Sequence, residues 1–96
     1  MSAPAPDPEA TILVVDDESS MLRSVSRVLS SRWAVSATTS PGEALRMAAE
    51  LRPDLAILDI RMPEMNGYEL CGLLHQELPE LAVIFMTGAV HELDAQ

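Results

Sequence analysis

Three short apolar runs in this chain, Ile12-Leu13-Val14-Val15, Leu55-Ala56-Ile57-Leu58 and Ala82-Val83-Ile84-Phe85-Met86, each stop abruptly at polar residues. Continuous runs of this length and β-branched content predict strands buried on both faces. The stretches between them repeat apolar residues at helical spacing. Met21, Leu22, Val25, Val28 and Leu29 fall on one helix face, with Arg23, Ser26 and Arg27 on the other. Trp33 to Thr38 predicts a second, weaker strand. Strictly alternating strands and helices with short connections leave one economical solution, a parallel sheet with helices on both faces.

Local signals place the boundaries. Ser40-Pro41-Gly42-Glu43 reads as a helix start, with Ser40 capping, Pro41 in the first turn and Glu43 completing a capping box. That helix is expected to turn Ala44, Leu45, Ala48 and Leu51 inward and to stop before Pro53. Arg61 to Gly67 reads as a loop, with Asn66-Gly67 as a turn. Tyr68 to Leu78 returns to helical spacing, carrying Leu70, Leu73, Leu74 and Leu78 on one side, and Pro79-Glu80 breaks it. Residues 82–86 are expected to form a third buried strand, and His91 to Gln96 to open a further helix. Three prolines among the first eight residues predict a disordered lead-in over residues 1–10, ahead of one domain over 11–96.

The polar strand ends carry the chemistry. In an open parallel sheet, ligands bind beyond the carboxyl ends of the strands. The topology therefore gathers Asp16, Asp17, Asp59 and Thr87 at one edge. The chain has no lysine, and 15 acids against six arginines leave a net charge of −9. Carboxylates gathered this way raise one another's pKa or require a cation, and a hard ion such as Mg²⁺ suits an all-oxygen donor set. The same charge argues against nucleic acid and against an anionic membrane surface. No apolar run is long enough to span a bilayer, and the N-terminus lacks the pattern of a signal peptide. Cys71 is the only cysteine, so no internal disulfide forms, which suits the cytoplasm.

Three segments, Val14-Val15-Asp16-Asp17-Glu18, Leu58-Asp59-Ile60-Arg61-Met62-Pro63-Glu64-Met65-Asn66-Gly67-Tyr68-Glu69-Leu70 and Met86-Thr87-Gly88-Ala89, resemble in order and spacing the signature of bacterial response-regulator receiver domains. The likeness runs from about Thr11 to about Ala95. It implies a flavodoxin-like, doubly wound α/β fold with strand order 2-1-3-4. It also implies Asp59 as phosphoacceptor, Asp17 as a direct Mg²⁺ ligand, and Asp16 acting mainly through water in the metal's shell. The Arg61 backbone carbonyl becomes a further ligand, and Thr87 a hydrogen-bond donor to the phosphoryl group that turns inward after phosphorylation. The implied partners are a histidine kinase or phosphotransfer protein upstream and an effector domain or protein downstream. A complete receiver also has a fifth strand ending in lysine and a fifth helix. Neither is present by Gln96, so the likeness implies a receiver short of its last unit, with residues 82–86 as an open edge prone to self-association.

Plainer roles compete for the same residues. Asp17 is a candidate helix cap, and Asp59 taken alone is a candidate solvated loop acid. His75 and His91 are expected at the surface, and Cys71 packed rather than reactive. Two rival functions follow. One is a phosphorylation-independent interaction module on the same scaffold. The other is a metal-dependent phosphatase-like protein using Asp59, disfavoured because the chain has no separate lid or general acid. The expected role is that of a phosphoacceptor that assists its own phosphoryl transfer, not an enzyme acting on another substrate.

Overall fold

A computed structural model of the chain describes residues 10–87. The expected disordered lead-in, apart from Ala10, and the helix expected from His91 lie outside the described residues. The elements alternate: β1 (Thr11–Val15), α1 (Ser19–Ser30), β2 (Ala34–Thr38), α2 (Pro41–Leu51), β3 (Leu55–Asp59), α3 (Gly67–Glu77) and β4 (Ala82–Met86). The four strands form one parallel sheet in the order β2-β1-β3-β4. The expected flavodoxin-like order is therefore observed.

Side-chain alternation along the central strands splits the core in two. Leu13, Val15, Ala56 and Leu58 face Ala44 and Ala48 of α2 and Leu70 and Leu74 of α3. Ile12, Val14 and Ile57 face the opposite way, onto Leu22 of α1. Both faces of β1 and β3 are thus dry, which explains why their sequences are continuously apolar rather than alternating.

The helix starts differ in detail from expectation. Ser40 caps α2, its hydroxyl accepting from the Glu43 N–H at 3.2 Å. Glu43 does not complete the box. Its carboxylate accepts from the Thr38 hydroxyl instead, and the Ser40 N–H that the box would use donates to that same hydroxyl. The full capping box stands at α3, where Asn66 accepts from the Glu69 N–H at 2.8 Å and Glu69 accepts from the Asn66 N–H at 3.0 Å. Asn66 is thus a helix cap as well as a turn residue. Asn66→Ala should destabilise the fold by about 1 kcal/mol. A thermal melt should then fall by roughly 4–8 °C, and an unchanged melt would show that water replaces the cap without loss.

Other expectations are corrected by position. Leu51 is exposed because it closes α2, where the left-handed Arg52 (φ 48°) turns the chain toward β3. Val28 lies on a flank of α1 that no described element covers and is 72% exposed. β4 is not a buried strand: Ile84 is 52% exposed and Phe85 37%, because β4 is an edge strand among the described residues. His75 is half-buried rather than on the surface. Its Nε2 lies 2.8 Å from the Leu81 carbonyl, where it donates, and Nδ1 lies 3.6 Å from the Cys71 sulfur. Cys71 packs against the core, as expected.

Candidate functional site

The register of the sheet builds the site. Val15 pairs with Leu58 across β1 and β3, so the next residues, Asp16 and Asp59, leave neighbouring strands side by side. Asp59 pairs in turn with Met86 on β4, which places Thr87 one residue beyond it, at the same edge. One carboxylate oxygen each from Asp16, Asp17 and Asp59 lies within 4.8 Å of the others. Asp16 and Asp59 are buried, and Asp17 is exposed at the mouth. The sequence expectation of an acidic pocket is met in its geometry.

Local hydrogen bonds aim these groups. Asp16 Oδ1 accepts from the Glu18 N–H at 2.9 Å, which folds the chain between β1 and α1. Asp17 therefore does not cap α1. The cap position is Glu18, without a side-chain cap bond, and Asp17 is left to face the pocket. Asp59 Oδ1 accepts from the Arg61 N–H at 3.2 Å. Arg61 sits on the same loop with its side chain exposed, and Thr87 is exposed at the end of β4.

Gly67 is the residue that sequence reading underrated. A Cβ added there would stand 2.4 Å from the Asp59 carbonyl oxygen and 3.1 Å from the Ile60 Cα. The Gly67 N–H donates to the Ile60 carbonyl at 3.0 Å, and the Ile60 N–H donates to the Met86 carbonyl at 2.9 Å. The start of α3 thus rests directly on the backbone that carries Asp59. The Asn-Gly pair in the sequence was a turn signal, and nothing in its spacing revealed this close approach.

Electrostatics follow from crowding. Burial pushes the Asp59 carboxyl from 3.8 up to about 6, the Arg61 N–H opposes the rise, and the neighbouring Asp17 and Asp16 carboxyls add to it. Three acids in mutual reach, with a carboxyl pushed upward, form a donor set of hard oxygens short of positive charge. Such a set suits a hard divalent cation. Among the described residues, no helix is long and apolar enough to cross a membrane.

Comparison with known proteins agrees with this geometry. Residues 12–96 match the family model of the response regulator receiver domain. The chain is 36% identical over 90 residues to a Vibrio cholerae protein named "Probable cyclic di-GMP phosphodiesterase", covering 92% of this chain and 20% of that protein. It is 36% identical over 84 residues to the alkaline phosphatase synthesis transcriptional regulatory protein PhoP of Bacillus subtilis, covering 86% of this chain and 35% of that one. The chain thus spans about a third or less of the curated relatives it matches. Among solved structures, it is similar to a response regulator receiver domain protein from Clostridium thermocellum, with a TM-score of 0.79 and 34% identity over 90% of this chain and 70% of that one. The chain belongs to the response regulator receiver domain family, the phosphoacceptor class of two-component signalling.

Proposed function

We propose that Asp59 accepts the phosphoryl group, and that the carboxylates of Asp16, Asp17 and Asp59 with the Arg61 carbonyl hold Mg²⁺. The observation that carries this reading is the convergence of three carboxylates at the edge of the sheet, with Asp59 ending the strand between β1 and β4. Bound there, Mg²⁺ would neutralise charge on the transferring phosphoryl group. The chain's own residues do the rest. An Asp59 carboxylate oxygen attacks phosphorus and forms the acyl–phosphate O–P bond. The P–N bond of a phosphohistidine donor breaks, and its electron pair leaves with the imidazole, which takes a proton from water. Arg61 N–H holds the other geometry-setting contact, to Oδ1. In this reading Thr87, one residue past the end of β4, donates to a phosphoryl oxygen. The domain assists its own phosphorylation rather than turning over a separate substrate.

The donor in this reading is a histidine kinase or phosphotransfer protein, and the receiver of the signal is an effector domain or protein, as the names of the longer relatives suggest. The cytoplasm is the proposed site of action, in keeping with a single, packed cysteine.

Incubation with acetyl phosphate and Mg²⁺ should add one phosphoryl group by mass spectrometry, labile to hydroxylamine as an acyl phosphate. Asp59→Asn should remove it completely. Labelling that persists in Asp59→Asn would move the acceptor elsewhere.

A further inference from the structure

We infer that Thr38 and Glu43 are positioning residues for the acidic pocket, holding the backbone of Asp16 from outside the site. The inference rests on the reading of Asp16 as part of that pocket. Thr38 closes β2, an edge strand that pairs only with β1 among the described residues. Its carbonyl accepts from the Asp16 N–H at 3.3 Å, the last bond of the β1–β2 ladder. That bond fixes the backbone of Asp16 at the point where its carboxylate departs toward Asp59.

An edge strand frays at its end unless something ties it down, and Thr38 is tied twice. Its hydroxyl donates to Glu43 Oε1 at 2.7 Å and accepts from the Ser40 N–H at 3.1 Å. The first of these has an ionised acceptor, the stronger kind of hydrogen bond. It is not needed to start α2, because Ser40 already caps the Glu43 N–H. Glu43 instead divides its oxygens, Oε1 to Thr38 and Oε2 to Arg46 at 3.3 Å. Thr38 is itself buried, so water is a poor substitute partner for its hydroxyl. The geometry thus links the start of α2, through one side chain and one ladder bond, to the second acid of the pocket.

Thr38→Val keeps the shape and removes the hydroxyl. In the full chain without metal, the Asp16 amide should exchange its hydrogen faster than in the wild type. Mg²⁺ binding measured by calorimetry should weaken roughly tenfold, as for outer-shell partners of metal ligands. Thr38→Ser should restore both. Val35→Ala, on the same strand but half-buried against the core, should lower the melting temperature and leave Asp16 exchange and Mg²⁺ affinity unchanged. Wild-type exchange at Asp16 in Thr38→Val would overturn the inference, and so would equal loosening in Val35→Ala. Should Thr38→Val fail to fold, Glu43→Leu removes the acceptor from a more exposed position and must give the same two effects. If the wild type takes up no Mg²⁺, or Asp17→Ala leaves uptake intact, the metal reading fails, and the Asp16 exchange alone decides the role of Thr38.

Discussion

Gly67→Ala should destabilise this protein severely, although by helix propensity it should help. Gly67 is the first residue of α3, with helical rather than left-handed backbone. Alanine is favoured over glycine there by up to about 1 kcal/mol. Against that gain stands a Cβ placed 2.4 Å from the Asp59 carbonyl oxygen, 3.0 Å from the Asp59 carbonyl carbon and 3.1 Å from the Ile60 Cα. All three are backbone atoms, so no side chain can swing aside. The helix start must lift away or the end of β3 must bend. Overpacking of this kind costs about 1–3 kcal/mol and occasionally more, and here the upper end applies. The melting temperature should fall by on the order of 10 °C or more. Gly72→Ala is the control. It lies in the same helix, nothing stands within 4 Å of its added Cβ, and it should stabilise by about 0.5–1 kcal/mol. A Gly67→Ala variant that melts at or above the wild type would show that the α3 start floats free of Asp59.

Asp59→Asn should stabilise the metal-free protein at neutral pH while abolishing its reaction. The Asp59 carboxyl is raised from 3.8 to about 6 in the folded chain. Between these values the folded state binds more protons than the unfolded one. Stability therefore falls as pH rises from about 4 to about 6, and stays lower above that. Asparagine carries no charge at any of these pH values and escapes the loss. One pKa unit corresponds to about 1.4 kcal/mol. Allowing for solvent at the mouth of the pocket, the gain at pH 7 should be about 1–2 kcal/mol. It should fade below about pH 4, where both forms are neutral. Mg²⁺ should reverse the order. A ligand that binds only the folded state stabilises it by about 2.7 kcal/mol at a hundredfold excess over Kd, and the wild type should gain far more of this than Asp59→Asn or Asp17→Ala. Melts at pH 4, 6 and 7.5, with and without Mg²⁺, check both signs. A wild type more stable than Asp59→Asn at pH 7.5 without metal would mean that the pocket does not destabilise the Asp59 carboxylate.

The elements that position Asp59 were legible because their signals are local. Runs such as Ile12 to Val15 need two dry faces, and the 2-1-3-4 order follows from the family likeness. The acidic edge followed from topology alone, since every parallel strand ends on the same side. What stayed hidden depends on distances between backbones or on which of two nearby acceptors wins. Asp17 is the better cap by residue type, and only the fold of the β1–α1 turn, with Asp16 taking the Glu18 N–H, puts Glu18 at the cap position and leaves Asp17 to the pocket. Glu43 had the spacing of a capping box, but the Ser40 N–H turns to the Thr38 hydroxyl, which in turn donates to Glu43. Gly67 had the look of a turn and is a contact. His75 lacked any metal-ligand spacing, and its bond to Leu81 depends on how the chain returns after Pro79.

The spacing of the site residues along the chain also bears on when the protein becomes competent during synthesis. Asp16 and Asp59 meet only through the pairing of Val15 with Leu58, a contact that closes more than 40 residues of intervening chain. Contacts of such separation form late, because loop closure must precede any gain from them. An emerging chain that has made β1, α1 and β2 holds the Asp16-Asp17 pair with no Asp59 beside it. On the proposed reading, phosphoacceptor chemistry is therefore tied to completion of the β1–β3 pairing. If Asp59 is the acceptor, a chain halted before β3 has docked holds scattered acids and no pocket, and should take up no phosphate.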